Sequence, residues 1–278
     1  MISVDDRGRS QPPSAHWGFL GDFLGGFLGV TGRGRRAVAT NRKTFVLLHG
    51  AWHGGWCWER VAGPLRARGH RVTTPTQTGL GARAHLMSPD IDLAVFTADL
   101  VNHLVREDLT DVVLVGHSFG GNAISGAAED VPERIARLVY LDALVPVSGR
   151  APFDDAPAEV VAQRTRQAEE TSGGLSMPPP PAAAFGVTRA ADAAWLEARL
   201  TPHPLRTFTT SQTFRGEPGN GLPAGYILCN DPIHGPQEGA PTRARSLGWP
   251  VTEIATGHDA MVTAPEALVD MLEAGPER

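Results

Sequence analysis

Gly116-His117-Ser118-Phe119-Gly120, with Gly121 behind it, sets a serine in a G-x-S-x-G turn. The apolar run VVLVG at 112–116 leads into that turn, and a stretch of small residues at helical spacing, 119–128, leads out of it. The pattern reads as strand, sharp turn, helix, the context in which this motif carries a nucleophile. Side chains do not fit at the flanks of so tight a turn, so glycines occupy them. Ser118 is pushed out at the carboxyl end of its strand, where open α/β sheets bind ligands. The helix amino terminus behind it favours developing negative charge. A serine hydroxyl attacks a carbonyl only when a base takes its proton. His258, in Gly257-His258-Asp259 between the last apolar strand and the last helix, stands where that base is expected, because the base comes last in chain order on such a sheet.

A tetrahedral intermediate also needs donors for its oxyanion. His49-Gly50-Ala51-Trp52 closes the first strong strand, and the glycine lets the chain bend toward the serine. The backbone N–H groups of Ala51 and Phe119 are the expected pair of donors, each supplying a few kcal/mol (roughly 3–4) of stabilisation. His49 precedes the turn and reads as structural. The third member, a carboxylate to orient the imidazole, has two candidates. Asp142 ends the strand RLVYLD, 24 residues after Ser118, while Asp231 follows LCN and precedes Pro232. Asp142 is the preferred acid and Asp231 the alternative.

These residues need a scaffold, and the pattern from Thr44 onward supplies one. FVLLH at 45–49 ends at Gly50 and reads as a strand buried on both faces. Further strands are expected at 70–74, 112–116, 135–141, 226–229 and 250–254, with helices at 56–68, 93–105, 119–128 and 264–272. Strands alternating with helices imply an α/β fold: a mostly parallel central sheet with helices on both faces. The rhythm breaks between 147 and 222, where there is a proline run at 178–181, one helical piece at 190–200 and no clear strand. The expected organisation is a core of 43–146 and 223–278, a cap insertion of 147–222, and a flexible or loosely docked extension of 1–42. Pocket-lining candidates are Trp52, Phe119 and Leu144 from the core, and Trp195, Phe208 and Phe214 from the cap.

The 278 residues carry a net charge of −5 and a pI near 6.0, with no basic stripe, which argues against a nucleic-acid partner. The two cysteines, Cys57 and Cys229, lie in apolar surroundings and form no C-x-x-C pair, so a structural zinc is not expected. No metal and no cofactor are called for. The most apolar stretch, WGFLGDFLGGFLGV at 17–30, is broken by Asp22 and five glycines and falls short of the ~18 residues a membrane helix needs. Arginines follow it where a signal cleavage region is normally uncharged. The cytoplasm is the expected compartment, with export left open. The expected partner is a small ester, with no nucleic acid and no membrane, and a homodimer is left open.

FVLLHGAWHGGWCW, DVVLVGHSFGG, RLVYLDALVP and GHDAMVTAPEAL together resemble the esterase and hydroxynitrile lyase branch of the α/β-hydrolases, from Lys43 to about Glu273. The resemblance is weakest in the cap and absent before residue 43. It implies the α/β-hydrolase fold and a cofactor-independent serine esterase acting through an acyl-enzyme on a small hydrophobic ester. The alternatives on the same fold are a hydroxynitrile lyase and a non-catalytic small-molecule binding protein. The lyases of this branch carry a lysine after the catalytic histidine, and here Asp259 stands in that place; they also typically place a threonine in the turn where this chain runs Gly50-Ala51. Both departures favour ester hydrolysis. Asp142 looks like the relocated acid found after the sixth strand in haloalkane dehalogenases and in some bacterial esterases. Asp231 follows the strand that usually supplies the acid but lacks the usual T-x-x-D spacing.

Overall fold

The computed structural model describes residues 42–275. The extension expected at 1–42 therefore lies, but for its last residue, outside the described residues.

The strands of the main sheet are β1 (Thr44–Leu48), β2 (Arg71–Thr73), β3 (Val112–His117), β4 (Ile135–Leu141), β7 (Ala224–Cys229) and β8 (Val251–Ile254); β5 (Ser176–Met177) and β6 (His203–Pro204) form a separate antiparallel pair. The main sheet runs β2-β1-β3-β4-β7-β8 with every pairing parallel. The helices are α1 (Glu59–Ala67), α2 (Leu93–Arg106), α3 (Gly120–Asp130), α4 (Ala158–Ser172), α5 (Ala190–Glu197), α6 (Arg206–Thr209), α7 (Ala240–Ser246), α8 (Ala260–Thr263) and α9 (Pro265–Ala274).

β1 shows why the central strands read as unbroken apolar runs. Its alternate side chains feed two separate cores: Val46 and Leu48 join Phe96, Leu100, Ile124 and Tyr140 beneath α2 and α3, while Phe45 and Leu47 join Val61, Leu65, Leu268 and Leu272 beneath α1 and α9. With both faces covered, no polar alternation is possible. α2 buries Leu93, Phe96, Leu100 and Leu104 along one face, and Asp92 caps the helix by accepting from the N–H groups of Ala94 and Val95, worth about 1 kcal/mol.

Residues 147–222 depart from the reading of one helical piece and no strand. α5 lies where that piece was expected, but β5 and β6 are present and α4 runs for 15 residues. Only Ala168 of α4 is buried, so its sequence, AEVVAQRTRQAEETS, carries almost no apolar stripe to reveal it. The segment touches the core loops at several points. Trp52 Nε1–H donates to Met177 O at 3.2 Å, Thr201 N–H donates to Trp52 O at 2.9 Å, and Gly81 N–H donates to Thr201 Oγ1 at 2.9 Å. Gly186 lies so close to Gly257 that a Cβ on either would come within 2.7 Å of the other's Cα.

Candidate active site

Ser118 has φ 54°, in the left-handed region, where a non-glycine residue costs about 1–3 kcal/mol and survives only if its surroundings fix it. They do. Ser118 N–H donates to Leu141 O at the end of β4 (3.1 Å), and Ser118 O accepts from both Gly121 N–H (3.1 Å) and Leu144 N–H (3.0 Å). The flanking glycines are required by contact. A Cβ on Gly121 would fall 2.0 Å from Leu144 O, one on Gly120 2.8 Å from His49 O, and one on Gly116 2.9 Å from the Ile124 side chain. Ser118 itself is half-buried at the tip of the turn.

The β1 turn sits directly against it. A Cβ on Gly50 would lie 2.7 Å from Ser118 Cβ, so only glycine lets the two turns meet. Ala51 and Phe119 are buried, and neither N–H donates to an acceptor among the described residues. His49 reinforces the turn. Its Nδ1–H donates to Gly50 O (2.8 Å), the carbonyl of the peptide that owns the Ala51 N–H, while Nε2 accepts from Gln77 N–H (3.1 Å). Those partners fix the Nδ1–H tautomer. Burial holds the ring neutral, with its pKa lowered to about 4. A donor on the carbonyl polarises the peptide and sharpens its N–H.

His258 Nδ1 lies 2.6 Å from Asp142 Oδ2, with both side chains almost wholly buried. Asp142 Oδ1 accepts from Cys229 N–H (3.3 Å), and Asp142 N–H donates to Ile227 O (2.7 Å). The carboxylate is thus held from β7 while its other oxygen faces the imidazole. Asp231 is exposed, and its side chain makes no hydrogen bond among the described residues; only its N–H is engaged, with Thr256 O. The structure brings Asp142 to His258 and does not bring Asp231.

The lining candidates separate. Phe119, Phe208 and Trp52 cluster: Phe208 lies 4.3 Å from Phe119 and 6.3 Å from Trp52, with Phe153 5.0 Å from Phe208. Trp195 does not join them. It packs edge-on against Trp56 and between the guanidinium groups of Arg60 and Arg199. Phe214 lines a separate surface cleft with Thr97 and Gln212. Leu144 contributes through its backbone, which holds the elbow, and packs on the core beneath α2 and α3.

Beyond His49 and His258, further histidines meet here that carry no motif of their own in the sequence. His53, His117 and His203 are buried. His117 Nε2–H donates to His258 O at 3.1 Å, and burial holds its pKa well below the ordinary value. His234 stacks on His258 at 4.0 Å. Asp259, noticed only as a departure from the lyases, is fully buried and 3.0 Å from His53. Repetition of histidine in H-G-A-W-H and G-H-S was the one available signal. Atoms of His117, His258 and Asp259 lie within 4.8 Å of one another. His117 Nε2–H donates to His258 O and His258 Nδ1 faces Asp142, while Asp259 meets His53 through Oδ2 alone and its Oδ1 has no hydrogen bond.

The sequence profile of the Alpha/beta hydrolase family matches residues 45–271. The chain belongs to the α/β-hydrolase family. It is 37% identical over 245 residues to a carbendazim hydrolyzing esterase of Nocardioides sp. (strain SG-4G), covering 83% of this chain and 98% of that one. A shorter match, 38% over 113 residues, joins 40% of this chain to 43% of Methylesterase 1 of Arabidopsis thaliana. Among solved structures, an extracellular alpha/beta-hydrolase from a Paenibacillus species aligns with TM-score 0.74 and 28% identity, over 84% of this chain and all of that one. Fold and relatives together support an ester-cleaving α/β-hydrolase. No helix among the described residues is long and apolar enough to cross a membrane.

Proposed function

We propose that Ser118, His258 and Asp142 carry out ester hydrolysis in this α/β-hydrolase, with the Ala51 and Phe119 N–H groups as the oxyanion hole. The observation that carries the assignment is the 2.6 Å contact between buried Asp142 and His258 Nδ1. It holds the proton on Nδ1 and leaves Nε2 as the base. Ser118 Oγ attacks the ester carbonyl as its proton passes to Nε2. The carbonyl oxygen becomes an oxyanion held by the two N–H groups, and Asp142 stabilises the imidazolium. Collapse expels the alcohol, which takes the proton from Nε2. Water then repeats the sequence on the acyl-enzyme and regenerates Ser118.

Phe208, Phe119, Phe153 and Trp52 support a small apolar or aromatic group on the substrate, with residues 147–222 acting as a cap over the site. The relative named for hydrolysing carbendazim places that compound beside aryl and methyl esters in a test panel. A lyase reading is disfavoured because Asp259, where the resembling lyases carry lysine, is a carboxylate engaged by His53. Ser118→Ala tests the proposal. It should abolish both turnover of the panel and labelling by a fluorophosphonate while the melting temperature holds. Turnover within about tenfold of wild type sinks the assignment, since loss of a triad nucleophile costs roughly 10⁶ in rate.

A further inference from the structure

His53 and Asp259 lie 206 positions apart in the chain and meet in the interior, Nε2 to Oδ2 at 3.0 Å, with side-chain exposures of 1% and 0%. The other ring nitrogen, Nδ1, lies 2.7 Å from Ala51 O. A backbone carbonyl and a carboxylate are both acceptors, so both nitrogens of His53 must carry hydrogen. The ring is then an imidazolium opposite a carboxylate. The pair joins the two loops that must agree during catalysis. Ala51 owns an oxyanion N–H, and Asp259 follows the base His258 directly in the chain. Asp259 N–H is itself held by Phe185 O at 3.1 Å, and its second oxygen has no hydrogen bond, with His117 Nε2 3.7 Å away.

We infer that the His53–Asp259 ion pair is a positioning device that clamps the oxyanion loop to the base loop, and that loss of the His53 proton sets an alkaline limit on turnover. This rests on the ester-hydrolase reading above. Once His53 is neutral it can donate to only one of its two partners, and the Asp259 charge is left buried without a counter-ion next to His258.

The groups around the pair do not compete for this titration. His53 stacks on Trp56 at 5.6 Å, meets Phe185 edge-on at 5.0 Å and faces His117 at 6.1 Å. The other titratable groups that sense the pair are His49, His203, His234, Cys57 and Cys229. Burial keeps His49, His117 and His203 neutral and pushes the Cys57 thiol up. Burial, the largest single influence, pulls His53 down, but the Asp259 carboxylate and the Ala51 carbonyl together outweigh it and the net shift is upward. The protonated ring is therefore kept at pH values below the ordinary 6.5 and is lost as pH rises through the raised value.

The experiment compares the full-length wild type with Asp259→Asn, His53→Gln and the double variant, using 4-nitrophenyl acetate from pH 6 to 10. In Asp259→Asn the amide can donate to a bare His53 Nε2 while Nδ1–H keeps Ala51 O, so the geometry survives without the charge. Its alkaline limb in kcat should vanish, with KM within about threefold of wild type. His53→Gln strands the Asp259 charge and should lose at least tenfold in kcat; adding Asp259→Asn should restore most of that. An alkaline limb unchanged in Asp259→Asn, a wild type without one, or His53→Gln retaining kcat within twofold overturns the clamp. If His53→Gln does not fold, the Asp259→Asn profile decides. Fluorophosphonate labelling of Ser118 is followed over the same pH range as an independent readout of base and hole. A wild type that fails to label refutes the serine-hydrolase reading instead.

Discussion

Replacing Asp142 by asparagine removes one charge at a position whose surroundings the structure defines fully. Asp142 has φ 41°, a conformation asparagine tolerates nearly as well as aspartate, so the backbone should hold. Its two oxygens have opposed duties: Oδ1 accepts from Cys229 N–H and Oδ2 faces His258 Nδ1. An amide cannot do both with the right polarity. If its oxygen keeps Cys229, its NH2 faces Nδ1 and drives the imidazole proton to Nε2, the wrong side for a base. If it turns over, the imidazole is correctly oriented, but the NH2 confronts the Cys229 N–H and both donors are left buried without acceptors. Such an unsatisfied group costs about 1–3 kcal/mol, which leaves the competent orientation at roughly one part in 5 to one in 150. That orientation also offers a neutral oxygen to the imidazolium in place of a carboxylate. The combined loss in kcat should fall between about 10² and 10⁴, the upper figure being the measured cost of the same change in a serine protease. Steady-state kcat on an aryl ester, with melting temperature as a control for folding, provides the measurement. Asp142→Asn within tenfold of wild type, together with a crippled Asp231→Asn, refutes the assignment of the acid.

Phe208→Ala should raise KM for an aryl ester by about 5–10-fold, from the loss of roughly 1–1.5 kcal/mol of aromatic contact, with a smaller change in kcat. Trp195→Ala should lower the melting temperature and leave KM alone, and a KM effect at Trp195 larger than at Phe208 would contradict the lining described above. Gly121→Ala should abolish activity or soluble expression, because its Cβ meets a backbone carbonyl that has no room to retreat; a well-folded, active variant would contradict the elbow geometry. Buried neutral histidines make the fold acid-sensitive: His49, with its pKa lowered to about 4, and His117 and His203, held well below the ordinary value by burial, resist protonation that the unfolded chain accepts below its ordinary value of 6.5. Each removes up to about 1.4 kcal/mol of stability per pH unit below that value, so the melting temperature should fall steeply from pH 6.5 to 5, and a flat profile would show that these rings are not buried neutral.

The parts of this fold that speak through local chemistry were legible in the sequence. VVLVG, G-H-S-F-G and the small residues after them specify strand, elbow and helix within a dozen positions, and the structure adds only the contacts that make each glycine obligatory. Other parts depend on partners far away in the chain. α4 was missed because a helix lying mostly in solvent carries no apolar stripe. Trp195 and Phe208 look alike in sequence, and only the packing of residues 147–222 sends one to Arg60 and Arg199 and the other to Phe119. Which of Asp142 and Asp231 meets His258 depends on which strand end lies beside that histidine in the folded chain. The buried role of Asp259 could not be read at all, since its partner is His53, on the opposite side of the sequence.

The register of the sheet pairs His117 with Leu141, so the proposed nucleophile and acid are the next residues on two neighbouring strands. Their separation is set by one strand spacing and does not depend on any loop. The turn after β7 is then relieved of catalytic duty, although it still lays His234 against His258. For a protein engineer this divides the rim of the sheet into two territories. The ends of β3 and β4 behave as a fixed chassis, and Asn230 and Asp231 are tied by their N–H groups to Ile254 O and Thr256 O, whereas residues 232–239 are the stretch whose redesign would reshape access to the proposed base without touching the nucleophile or the acid.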